Sequence, residues 1–429
     1  MANIQNYTKS TLGNGLRVIT APMPSSRSVT VMLMAGVGSR YEEKNINGIS
    51  HFMEHMFFKG AEKYGDAMAV SSAIDGVGGS FNAFTSEEKV AYFVKLSSSK
   101  KKVAYDVLSD MLLKSKFNVE EIDRERGVII EEIRMYNDDP MSKVQQNFQS
   151  HFYGDQPLGW DIAGPEEVIR DISRDVFMNY KDRHYTAENC TLVAAGGLSH
   201  NENMNLAKEF FHFKNRGEVT QPVAFTIKNG SRTQLETRDI EQAHFVLGFP
   251  VPGKMDTAHP TLTLLTNVLG GTMSSRLFYQ VRERRGLAYY IRASLQSYSD
   301  TGSLKISAGI NLEKLAEGLN CIMDELNKVA DKGITAKELD RGKENIKGRL
   351  DLGLEDSMSL ASLYAGYETV YGLIKTPDEL ANEIDNVKLD EVNEAAKKYL
   401  TRKKIKLSIL GPYDDQSKFD KSLDLLIAG

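Results

Sequence analysis

The 429-residue sequence is poor in several things that would otherwise direct its reading. Its only two cysteines, Cys190 and Cys321, lie far apart, which excludes a disulfide framework and leaves them as buried thiols. Eleven prolines are too few, and 41% hydrophobic residues too many, for a disordered chain. Charge of one sign is missing as well. Lys plus Arg number 53 against 58 Asp plus Glu, a net charge of −5, without the basic excess of a general nucleic-acid binder. No long hydrophobic run is present: the most apolar early stretch, 29–37, falls far short of the ~20 residues of a membrane span. The opening MANIQNYTKSTLGNG carries neither an apolar signal core nor an Arg-rich leader. A soluble, cytoplasmic protein is expected, with no nucleic-acid partner and no membrane span, and the length predicts two or three domains.

What the sequence does contain is organised. Residues 16–21 and 28–35 read as strands bounded by turn residues. A helix follows at 48–58, with Ile49, Phe52, Met53 and Met56 at helical spacing, and another at 66–74, ended by Asp75-Gly-Val-Gly-Gly79. Residues 81–96 read as two strands around 85–88, and 103–114 and 119–136 as helices. The second half repeats this order weakly. Strand 244–249 and helix 262–269 mimic 28–35 and 48–58, and Lys337-Glu-Leu-Asp-Arg341 echoes Glu120-Glu-Ile-Asp-Arg124. A midpoint stretch rich in Gly, Pro and polar residues, 216–230, reads as a linker between domains 1–215 and 231–429. Strands cluster before and between helices without regular alternation. The predicted class is α+β: two homologous domains, each a mostly antiparallel sheet with helices packed on one face.

The sharpest chemical signal is His51-Phe-Met-Glu54-His55. Positions i, i+3 and i+4 share one helix face, so two imidazoles can grip one Zn2+ with a carboxylate beside them to take a proton from water. In the overlaid second half the same positions hold Leu262, Leu265 and Thr266, which have no metal chemistry. A catalytic zinc needs a third protein ligand. Candidates lie in Glu125-Arg-Gly-Val-Ile-Ile-Glu131-Glu132, where Glu125 and Glu132 share a face two turns apart and Glu131 points about 100° away. A carboxylate pair on one face can supply a ligand and a partner that orients a ligand His. Val128, Ile129 and Ile133 mark this helix as buried. The remaining histidines, His151, His184, His200, His212, His244 and His259, have no ligand-like spacing.

These motifs, with Gly79-Ser-Phe-Asn-Ala-Phe-Thr-Ser86, Met135-Tyr-Asn-Asp-Asp-Pro140 and Ser275-Arg-Leu-Phe-Tyr-Gln-Val-Arg-Glu-Arg-Arg-Gly-Leu-Ala-Tyr289, resemble the family of pitrilysin, insulin-degrading enzyme and the mitochondrial processing peptidase. The resemblance spans both halves in order. It implies His51, His55 and Glu132 as ligands of one Zn2+ per chain, Glu54 as general base, and Glu125 as the carboxylate behind a ligand His. It implies that substrate adds as a strand at Asn82 and Ala83, and that Arg282 and Tyr289 help hold the substrate or its oxyanion. It further implies a catalytic first domain and a degenerate second one.

The expected activity is that of a zinc metalloendopeptidase acting on peptides or unfolded protein segments. Short members of the family pair, so a homodimer, or a heterodimer with a related subunit, is expected. A rival from another class is a non-catalytic binding or scaffold subunit, like the core proteins of respiratory complexes; such subunits characteristically lose the metal motif, and this sequence keeps it. S-ribosylhomocysteine lyase shares the His spacing but is much shorter and depends on a cysteine.

Overall fold

The computed structural model describes residues 7–213, 219, 221–226 and 230–426. The strands are β1 (Thr8–Thr11), β2 (Arg17–Pro22), β3 (Ser28–Ala35), β4 (Ser80–Thr85), β5 (Val90–Ser97), β6 (Cys190–Gly196), β7 (Thr233–Thr237), β8 (Gln242–Pro252), β9 (Ala288–Ser297), β10 (Thr301–Asn311) and β11 (Lys406–Gly411). The first helices are α1 (Ile49–Phe57), α2 (Ala67–Asp75), α3 (Lys101–Leu113), α4 (Val119–Asp138), α5 (Pro140–Tyr153), α6 (Glu166–Asp171), α7 (Arg174–His184) and α8 (His200–Phe210). They are followed by α9 (His259–Thr266), α10 (Leu315–Lys332), α11 (Ala336–Gly353), α12 (Ser357–Tyr371), α13 (Pro377–Asn386), α14 (Leu389–Tyr399) and α15 (Ser417–Leu423).

These elements fall into two compact units, and neither is one continuous stretch of chain. The first takes its residues from 1–134, 160–223 and 351–377, the second from 135–159, 224–350 and 378–429. Of the stretch read as a linker, 216–218, 220 and 227–229 lie outside the described residues.

The first unit is built on a six-stranded sheet ordered β1-β2-β6-β3-β5-β4. Every neighbouring pair is antiparallel except β2 with β6. The second unit holds a five-stranded sheet, β7-β11-β8-β10-β9, antiparallel except for β7 with β11. With β1 set aside, the two sheets match strand for strand in chain order and direction. The duplication read weakly from the sequence is thus plain in the topology, and the α+β class holds.

Each sheet carries its main helical layer on one face, and a single further helix closes the other. On β3, Val29, Val31, Leu33 and Ala35 enter a core with Phe52, Met53 and Met56 of α1 and Ala104 and Leu108 of α3. The alternate residues Thr30, Met32 and Met34 are equally buried, on the face where α12 packs against β3 and β6 and Thr30 Oγ1 meets Ser357 Oγ at 2.8 Å. Burial on both faces is why this strand reads as a continuous apolar run rather than an alternating one. The second unit repeats the device. Phe245, Leu247 and Phe249 of β8 join the core with Leu262 and Leu265 of α9, whereas Val246 packs with Val144 and Phe148 of α5. Gly248 is required there, since a Cβ would stand 2.3 Å from Phe148 Cζ.

Candidate metal centre

Helix α1 starts from a constrained entry. Gly48 has φ 98°, and a Cβ on it would stand 2.5 Å from the Ala163 carbonyl oxygen. A glycine has no side chain to cap the helix. The buried carboxylate of Glu42 does so instead, accepting from the N–H groups of Gly48 at 2.7 Å and Ser50 at 2.8 Å and from Asn47 Nδ2 at 2.8 Å. Phe52, Met53, Met56 and Phe57 pin one side of the helix into the core, leaving His51, Glu54 and His55 on the partly open side.

Helix α4 is held by Ile122, Ile129, Ile130 and Ile133. Val128, read from the sequence as part of that buried face, is instead 50% exposed, because it falls on the outer side of the turn. Glu131 also points away, pairing with Arg134 at 2.7 Å. Glu125 and Glu132 both face α1. Glu132 Oε2 stands 3.7 Å from His51 Nε2 and 3.5 Å from His55 Nε2, and the ligand atoms of the three residues lie within 4.8 Å of one another. Ligands of a tetrahedral zinc, each about 2.0–2.1 Å from the ion, stand roughly 3.3–3.4 Å apart, so this donor set fits zinc with little movement. Among the described residues it is the one cluster of His, Cys, Asp or Glu with that geometry.

The groups behind the cluster are ordered as well. Glu125 Oε1 accepts from His55 Nδ1 at 2.9 Å, which leaves Nε2 as the bare nitrogen, and its Oε2 takes Lys59 Nζ at 2.5 Å. His51 Nδ1, by contrast, is buried without a hydrogen-bond partner among the described residues. On the other side Thr85 Oγ1 donates to Glu54 Oε2 at 2.5 Å.

These contacts tune the site. Burial, helped by the neighbouring His55, lowers the His51 imidazole to about 4, so it is neutral and available as a ligand near neutral pH. Burial also pulls on His55, but the bond and charge of Glu125, with Glu132 and Glu54, raise it overall. Burial raises the Glu54 carboxyl, tempered by Thr85 and His55. Burial acts in the same direction on Glu125, yet His55 and Lys59 outweigh it and hold that group low.

The structure therefore brings together five of the residues picked from the sequence: His51, Glu54, His55, Glu125 and Glu132. Asn82 and Ala83 lie on β4, an open edge of its sheet, where the Ala83 N–H donates to Asn82 Oδ1 at 2.9 Å. Arg282 and Tyr289 belong to the second unit. Arg282 stacks over the Phe278 ring at 4.9 Å, and Tyr289, at the start of β9, is 59% exposed. In that unit Leu262, Leu265 and Thr266 are buried, an inert counterpart to the imidazole face of α1. Glu42, Lys59 and Thr85 escaped the sequence reading as site residues. Lys59 alone had a local signal, four residues after His55.

Comparison with known proteins finds relatives over nearly the whole chain. Residues 17–166 match the family model described as Insulinase (Peptidase family M16), and residues 171–346 match that described as Peptidase M16 inactive domain. An uncharacterized zinc protease of Streptomyces coelicolor is 35% identical over 420 residues, covering 96% of this chain and 91% of the relative. The uncharacterized zinc protease YmxG of Bacillus subtilis is 37% identical over 404 residues, covering 93% of this chain and 96% of its own. Among solved structures, a protease from Helicobacter pylori superposes with a TM-score of 0.88 at 23% identity, over 95% of this chain and all (100%) of that one, a likeness of fold alone.

Proposed function

The chain belongs to the insulinase family of zinc proteases, peptidase family M16, and from that premise we propose that it is a zinc-dependent metalloendopeptidase hydrolysing peptides or unfolded protein segments. The observation that carries this reading is the convergence of His51, His55 and Glu132 on one point, with the Glu54 carboxylate on the same helix face. A zinc ion held there would supply Lewis acidity and make a water acidic enough to lose its proton near neutral pH.

The chain's own residues would do the rest. Glu54 accepts the proton of the attacking water and returns it to the leaving amine. Glu125 keeps the His55 ring oriented with Nε2 bare. Main-chain groups around Asn82 and Ala83, on the open edge of β4, hold the substrate as an added strand, a mode that reads backbone and so tolerates varied sequences. Arg282 and Tyr289, a cation and a phenol, support the developing oxyanion, as the family resemblance implies. The second unit would act as the degenerate partner. A homodimer, or a pair with a related subunit, working in the cytoplasm completes the proposal; among the described residues no helix is long and apolar enough to cross a membrane. Against the rival scaffold role stands the convergence of His51, His55 and Glu132 beside Glu54.

The test is cleavage of a mixed-peptide library by purified protein with zinc quantified. Glu54→Gln is expected to keep zinc and lose hydrolysis, whereas His55→Ala loses both. Equal activity in wild type and Glu54→Gln would overturn the mechanism.

A further inference from the structure

Thr85 touches the proposed base from a direction that the ligand set does not use. Its hydroxyl donates to Glu54 Oε2 across 31 residues of sequence, and it is the last residue of β4. The hairpin register shows which groups of this strand are free. The Ser86 N–H donates to the Lys89 carbonyl, and Phe84, Asn82 and Ser80 stand opposite Ala91, Phe93 and Lys95. In an antiparallel ladder the hydrogen-bonded pairs alternate, so these even-numbered residues direct their backbone groups at β5. The odd-numbered ones face outward, as the Ala83 N–H does in donating to Asn82 Oδ1. Their side chains lie on the α1 side, where Phe81 meets the Phe58 ring at 5.5 Å and Thr85 meets Glu54. Thr85 thus turns its backbone to the open edge and its hydroxyl to the base.

We propose that Thr85 is a positioning residue that couples peptide addition at the β4 edge to the placement of Glu54. The inference rests on the peptidase reading for the role of Glu54. A glutamate has three side-chain torsions to order, and the Thr85 hydroxyl fixes its carboxylate by one oxygen, leaving Oε1 for the water. Since the Thr85 backbone lies on the edge where a peptide would add and its hydroxyl already holds the carboxylate, one residue serves both the bound strand and the base.

The test compares Thr85→Val, which removes the hydroxyl at similar shape, with Thr85→Ser, which keeps it. Three measurements are made on the zinc-loaded protein: steady-state cleavage of a quenched peptide, zinc content, and calorimetric affinity for a peptide hydroxamate, whose hydroxyl needs the Glu54 carboxylate as acceptor. Thr85→Val is expected to lower kcat and weaken the hydroxamate by about ten-fold each, the scale of a lost hydrogen bond to a charged group, with KM and zinc content unchanged. Thr85→Ser is expected to restore both. Thr85→Val with wild-type kcat and hydroxamate affinity would overturn the proposal. So would loss of zinc in that variant, or a Thr85→Ser protein as impaired as Thr85→Val. Should the wild type cleave no peptide, the peptidase reading fails by itself, and the hydroxamate affinities still decide the role of Thr85.

Discussion

Glu125→Gln perturbs the support of the proposed metal centre without replacing a proposed ligand, and its effect can be worked from the contacts. Glu125 is 4% exposed, with Oε1 bound to His55 Nδ1 at 2.9 Å and Oε2 to Lys59 Nζ at 2.5 Å. Both partners are donors when His55 Nε2 is bare. A glutamine offers one acceptor oxygen and one donor amide, so it can serve only one of them. With its oxygen toward His55, the amide confronts the Lys59 ammonium, and Lys59, whose side chain is 25% exposed, swings into water. With its amide toward His55, the imidazole proton is driven to Nε2, the nitrogen proposed to bind metal. The first orientation is the cheaper, and in either one the charge that strengthens the imidazole as a donor is gone. Losses behind a ligand histidine weaken metal binding by about 10–100-fold, or about 1.4–2.8 kcal/mol. Zinc affinity would be measured on the metal-free protein by competition with a chromophoric chelator at neutral pH. Wild-type affinity in Glu125→Gln would refute the reasoning, because it would mean that the His55 orientation is set elsewhere.

Two further predictions concern stability. Gly248→Ala sets a methyl 2.3 Å from Phe148 Cζ, so urea unfolding should show a loss of about 1–3 kcal/mol, relieved when Phe148 is also shortened to Leu. Burial raises the Glu338 carboxyl, but Arg276, at 2.6 and 2.7 Å, and the Thr335 N–H outweigh it and hold it at about 2, below its ordinary 4.5. A depressed folded value stabilises above the unfolded one and is lost as pH falls through the folded one, here worth about 3 kcal/mol. The stability gap between wild type and Glu338→Gln should therefore be full at neutral pH and shrink between pH 4.5 and about 2; a gap that ignores pH would refute the assignment.

What the sequence discloses follows the range over which the physics acts. Strand 28–35 and the helices around 48–58 and 119–136 are found nearly where expected, as Ser28–Ala35, Ile49–Phe57 and Val119–Asp138, because periodicity is a local property. His51, Glu54 and His55 are legible for the same reason, since one helical turn forces them onto one face. Glu125 and Glu132 could be paired with each other by spacing, but their approach to α1 depends on packing. Glu42 caps α1 from a loop and Thr85 reaches Glu54 through a hairpin, contacts that no short window of sequence contains. Val128 departs from the expected burial because an isoleucine-rich helix can be buried on one side only. The covering of both sheet faces is equally non-local.

That covering interlocks the two repeats along the chain. The strands of the first sheet are complete by Gly196, yet the helix behind them, α12, begins only at Ser357; α5, which begins at Pro140, shields β8 and β11, which begin at Gln242 and Lys406. Neither half of the chain holds all the parts of a self-sufficient module. Cutting the polypeptide near its middle would strip Met32 and Met34 in one fragment and Val246 in the other of their shelter from water. Truncating the chain to its first half would therefore also remove the helix that covers one face of the first sheet.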